Sequence, residues 1–140
     1  MSQLAAALVT VAHAAVQDVN GEFSPRLAAV VPEGFTKTCE EMGWNDTEMW
    51  ARLSDGRRPW FEAKNGSYIY WNTEGRWWID GPTGAGLYVC RSAQPLPVPD
   101  PGPDSSVDTS AASCWEPLTR EAAQGLPVVT VTTRGRTAEL

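Results

Sequence analysis

The chain has 140 residues, with 17 acidic against 11 basic side chains, a net charge of −6 and seven tryptophans. That length suits one domain with a sizeable core. The acidic balance argues against nonspecific nucleic-acid binding, which needs Lys and Arg to neutralise phosphates, and against an anionic membrane surface.

Residues 4–12 are apolar, and Ala12-His13-Ala14 has the small-x-small form of a cleavage site, yet no Lys or Arg precedes them. The run is too short for a membrane span. Two readings stay open: a signal peptide, or a domain strand that buries Leu8, Val9, Val11 and Val16. The organisation expected is an Ala-rich segment at 1–15, one β domain at 16–133 and a frayed tail at 134–140. Asn20-Gly21 signals a turn. Residues 27–35 read as a short strand ending at Pro32, and 47–53 as a helical turn or a strand, with spacing over 38–52 that is neither cleanly helical nor alternating.

Residues 55–91 organise the rest. Lys64-Asn65-Gly66, Asn72-Thr73-Glu74-Gly75 and Gly81-Pro82-Thr83-Gly84 break the chain between apolar runs at 59–63, 67–71, 76–80 and 86–90. Each run has strand length and composition, and connections this short join antiparallel neighbours. This is a four-stranded antiparallel meander. Alternation puts Phe61, Ala63, Ile69, Trp71, Trp77, Ile79, Leu87 and Val89 on a core face. Trp60, Glu62, Tyr68, Tyr70, Arg76, Trp78, Asp80 and Tyr88 share the other. Its five aromatics offer about 750 Å² or more, at roughly 150–250 Å² each. A monomer seldom leaves more than about 300–600 Å² of apolar patch in water. Something therefore covers this face: a second layer of the same chain, a partner or a ligand.

Residues 95–113 are rich in Pro, Asp and Ser and read as an extended loop. Trp115 then anchors the return to the core, 119–124 make a short helical turn ended by Gly125, and 128–133 form a closing strand. The fold class expected is all-β: the meander closed into a small sandwich or barrel by N- and C-terminal strands.

No catalytic motif stands out. His13 is the single histidine and nothing orients it. Glu62 and Asp80 share the amphipathic face as a carboxylate pair would, although charges flanking aromatics, with Asp80 pairing Arg76 or capping the Gly81-Pro82 turn, are the simpler account. The glycines at 81, 84 and 86 precede a strand rather than a helix and carry no lysine, so they read as a turn and not a phosphate loop. Cys39, Cys90 and Cys114 include no C-x-x-C pair, so neither a zinc site nor any cofactor is expected. Reduced thiols are the plain reading, and one disulfide with a spare thiol is the reading for an exported chain. The compartment stays open, with an intracellular one slightly favoured. The sequons at Asn45-Asp46-Thr47 and Asn65-Gly66-Ser67 matter only after export, and chance accounts for both.

Two resemblances bear on function. Asn20-Gly21-Glu22-Phe23, Asp55-Gly56-Arg57 with Pro59-Trp60-Phe61, Tyr68-Ile69-Tyr70-Trp71, Gly75-Arg76-Trp77-Trp78-Ile79 and a distal Trp115-Glu116-Pro117 follow one another in order. This order resembles a small β module that recurs in large protist-algal proteins, with Arg58 as an insertion in the middle motif. The resemblance implies a noncatalytic binding or scaffolding unit. Gly43-Trp44, Gly56-Arg57, Trp60-Phe61, Asn65 and Trp71 resemble WW domains more distantly, with a longer spacing from Trp44 to Gly56 and no terminal x-x-Pro. That family implies binding of proline-rich peptides. The expectation is a noncatalytic protein-interaction module that uses Trp60, Tyr68, Tyr70, Arg76, Trp78 and Tyr88. A protein partner is favoured, a glycan is the alternative, and neither nucleic acid nor membrane is expected.

Overall fold

The computed structural model describes residues 7–54, 56–90, 107–108 and 115–133. Its strands are β1 (Ala7–Ala12), β2 (Gly21–Arg26), β3 (Trp60–Ala63), β4 (Tyr68–Asn72), β5 (Arg76–Asp80), β6 (Gly86–Cys90), β7 (Val107–Asp108), β8 (Trp115–Pro117) and β9 (Val128–Thr133). Two helices, α1 (Glu33–Met42) and α2 (Asp46–Leu53), interrupt them between β2 and β3. The fold is all-β and antiparallel, in one sheet ordered β7-β9-β1-β2-β3-β4-β5-β6-β8.

The meander β3–β6 lies inside this larger sheet. Its tight turns set the register: Asn72-Thr73-Glu74-Gly75 returns the chain so that Trp71 faces Trp77 and Ile69 faces Ile79. Gly75 takes φ +87°, a region glycine enters without steric cost. The terminal strands meet as neighbours, β9 pairing with all of β1 from Ala7↔Thr133 to Ala12↔Val128. They extend the sheet rather than form a second one. The sheet curls into a half-barrel, so that Tyr88 Oη on β6 donates to Gly125 O, just ahead of β9, at 2.9 Å. Among the described residues no ladder joins β7 to β8, the two ends of the strand order. The Pro-rich loop at 95–113 lies outside the described residues except for β7, and the tail at 134–140 lies outside them entirely.

The concave side holds the main core, including Val9, Val11, Phe23, Phe61, Ile69, Trp77, Ile79, Trp115 and Val129. The expected core face is thus correct through Leu87, which packs against this core, and shifts after it. Ile79 faces Tyr88 while Asp80 faces Gly86, which leaves Leu87 as an extra residue in a bulge. Beyond it the alternation inverts: Tyr88 joins the concave core and Val89 lies opposite Trp78. Residues 7–12 form β1, with Val9 and Val11 buried and Leu8 half-buried; Val16, also buried, lies beyond the strand.

Residues 27–35 are not a strand. Pro32, at φ −61°, precedes α1, where its fixed φ suits a helix start. Gly43 ends α1 in the left-handed region at φ 76°, and Trp44 N–H reaches back to Cys39 O at 2.8 Å. Asn45 caps α2, its Oδ1 accepting from Glu48 N at 2.9 Å. Thr36 Oγ1 donates to Asp46 Oδ2 at 2.6 Å and ties the two helices together.

Candidate interaction site

The helices lie on the convex side of the meander, over the face that the sequence leaves to be covered. Trp60, Tyr68 and Tyr70 are 2%, 0% and 6% exposed. Trp50 of α2 fills the space between them and Phe35 of α1, with ring centroids 5.1 Å from Phe35, 5.8 Å from Trp60 and 5.0 Å from Tyr70. Trp60, Tyr68 and Tyr70, expected to make contact with a partner, therefore lie in a buried layer. The cover comes from the same chain, and it is helical rather than a second sheet. Trp78 packs at the border of this layer, half-buried, and Arg76 is half-buried on the same strand. Tyr88 is on the opposite side of the sheet. Of the six expected residues, three come together beneath the helices and only Arg76 and Trp78 retain appreciable exposure.

α1 approaches the β5–β6 turn at backbone contact. A Cβ on Gly34 would lie 2.6 Å from Pro82 O and 2.8 Å from Gly84 N. Thr38 Oγ1 donates to Thr83 O at 3.2 Å beside this contact. The glycine-rich stretch is thus a turn followed by β6, and its role here is to seat a helix.

Asp80 is buried next to the aromatic layer and pairs in register with Tyr68. Asp80 Oδ1 and Tyr68 Oη are both enclosed, the hydroxyl close enough to act on the carboxyl group but short of full hydrogen-bond geometry. Burial pushes the Asp80 carboxyl up to about 7, with the neighbouring Tyr68 hydroxyl acting more weakly in the opposite direction. Burial, then the Asp80 charge, raises the Tyr68 and Tyr70 hydroxyls. Asp80 makes no ion pair with Arg76. Glu62 is engaged elsewhere, its Oε1 accepting from Arg26 Nε at 2.6 Å. Tyr68 stands between Glu62 and Asp80 in the register, which separates their backbones by two strand spacings, about 9.5 Å. One carboxyl is enclosed and the other is ion-paired on the surface, so they share no cleft. His13 is exposed on a turn at φ 66°.

The buried indoles also act outward. Trp60 Nε1 donates to Leu27 O at 3.1 Å and to Val30 O at 2.8 Å, and Trp50 Nε1 donates to Ala28 O at 3.0 Å. Val30 N–H closes the same turn on Leu27 O at 3.0 Å. Leu27 and Val30 point away from these bonds, 60% and 45% exposed. This pinned turn was not legible in the sequence, because Leu27-Ala28-Ala29-Val30 contains none of the usual turn residues.

A groove of about 550 Å³ lies along β2 and β3, on the sheet face that also carries Trp60 and Tyr68, bounded by Asp18, Glu22, Arg26, Glu62, Lys64 and Asn65. Its charges are mixed. One wall is fastened by Asn65 Nδ2 and Ser67 Oγ, which donate to Asp18 O at 2.8 and 2.9 Å. Among the described residues no group of three or more His, Cys, Asp or Glu is placed to hold a metal, and no helix is long and apolar enough to cross a membrane. Cys90 is disulfide-bonded and Cys39 is a free, buried thiol, which is the one-disulfide reading of the cysteines.

The chain matches no protein-family model, no curated protein and no solved structure.

Proposed function

We propose that this domain is a noncatalytic protein-interaction module whose contact point is the turn at residues 27–30. The observation that carries this reading is the fastening of that turn by two buried tryptophans while it presents two aliphatic side chains to solvent. Singly exposed aliphatics are ordinary on any surface. Two of them on a turn held by three indole hydrogen bonds form a preorganised tip, which saves ordering entropy when a partner docks. In this reading Trp60, Tyr68 and Tyr70 act as the support of the contact rather than the contact itself. A protein partner is favoured over a glycan because sugar stacking needs an open aromatic platform, and these rings lie beneath α1 and α2.

A photo-crosslinking residue at position 27, compared with one at Lys64 on the groove side, tests the proposal in an extract of the source cells. A discrete adduct from position 27 that Val30→Ser weakens is the expected result. Equal, diffuse labelling from both positions would count against it.

A further inference from the structure

The two sequons differ sharply in what their side chains are doing, and this difference extends beyond the interaction reading. In the second sequon, Asn65 Nδ2 is committed to Asp18 O, and the acceptor-site hydroxyl of Ser67 is fully buried on the same carbonyl. In the first, Asn45 and Thr47 are both exposed. Asn45 uses only Oδ1, which accepts from Glu48 N to cap α2, and its Nδ2 has no hydrogen-bond partner among the described residues. A substituent on Nδ2 leaves that cap intact. Trp44, immediately before it, is 48% exposed. An indole face beside the attachment point gives a first sugar an apolar surface to lie against. The disulfide at Cys90 adds an independent reason to place the chain in an oxidising, export-competent compartment, where sequons are used.

We propose that Asn45 is an N-glycosylation site, and that Asn65 is not, with Trp44 as the platform for the attached sugar. The transfer joins Asn45 Nδ2 to the anomeric carbon of a lipid-pyrophosphate-linked oligosaccharide. The bond from that carbon to the pyrophosphate oxygen breaks, the lipid pyrophosphate leaves with the electron pair, and Nδ2 gives up one proton. The remaining amide N–H and the capping Oδ1 are unchanged.

The test is secretion of the full chain, behind a cleavable leader, from a eukaryotic host, followed by intact mass and glycopeptide mapping before and after peptide-N-glycosidase. Wild type and Asn65→Gln should each carry a single glycan on Asn45, and Asn45→Gln should carry none. Thr47→Ala guards against a folding effect, because it removes the sequon and leaves the cap residue in place; it too should carry none. Trp44→Ala should keep the glycan while losing the rise in Tm that glycosylation gives the wild type. Secreted protein with a glycan on Asn65, with no glycan on Asn45, or with a Tm gain that survives Trp44→Ala would overturn the proposal, as would failure of the chain to be exported.

Discussion

Trp60, at the start of β3, donates its indole N–H to the carbonyls of Leu27 and Val30, 33 and 30 residues earlier in the chain. One side chain thereby joins three parts of the molecule: its ring fills the layer under α2, its backbone pairs with Arg26 in the sheet, and its N–H fixes an exposed turn.

Trp60→Phe keeps a ring in the layer and removes the donor. A hydrogen bond of this kind contributes about 0.5–1.5 kcal/mol net, so urea denaturation should show a loss of about 2–3 kcal/mol once the smaller ring is included. Hydrogen exchange of Val30 N–H should quicken beyond what global destabilisation explains.

Gly34→Ala should be worse than its size suggests. The new Cβ meets Pro82 O and Gly84 N, both backbone atoms that cannot swing aside. Overpacking of this sort costs about 1–3 kcal/mol. Glu33→Ala, one residue away and exposed, should stay within about 0.5 kcal/mol. Equal urea midpoints for the two variants would contradict the close contact.

Asp80 makes stability depend on pH. Its folded value, about 7, lies above its ordinary value of 3.8, so the folded protein holds this proton more tightly than the unfolded chain. The contribution is present in full below about pH 4 and is lost as pH rises through about 7. At 1.36 kcal/mol per unit the loss is on the order of 4 kcal/mol. Asp80→Asn should therefore resemble wild type at pH 4 and exceed it at pH 8, as read from urea midpoints. A variant less stable than wild type at pH 8 would sink this account.

The cysteines should separate by reactivity. Burial, with the Asp46 carboxylate adding to it, holds the Cys39 thiol above its ordinary value. Cys39 should resist iodoacetamide until the protein unfolds. Reduction of the disulfide at Cys90 should lower stability by about 2–4 kcal/mol, seen as a drop in Tm under dithiothreitol.

Local signals account for much of the architecture. Short turns with Gly and Asn set the pairing of β4 with β5, and the β-branched run at 128–133 is β9 as read. α1 was hidden, and α2 was legible only as a helical turn or a strand at 47–53, because their buried stripes are thin: α1 buries Phe35 and Cys39 as its larger side chains, and α2 buries Trp50 alone. One local signal for α2 does stand in the sequence. Asn45 followed by Glu48 has the spacing of an N-cap with its acidic partner three residues on.

The face assigned to each residue was legible wherever period-2 alternation ran unbroken, from Phe61 to Ile79. It failed at Tyr88, because a single bulged residue, Leu87, inverts everything after it. The amphipathic composition of Trp60, Tyr68 and Tyr70 required a cover of some kind, which follows from the cost of hydrating that much aromatic surface. Sequence could not say that the cover is α1 and α2. That outcome rests on contacts between distant segments, Trp50 with Tyr70 and Gly34 with Gly84, and close packing is a property of shapes brought together in space, with no local pattern along the chain to record it.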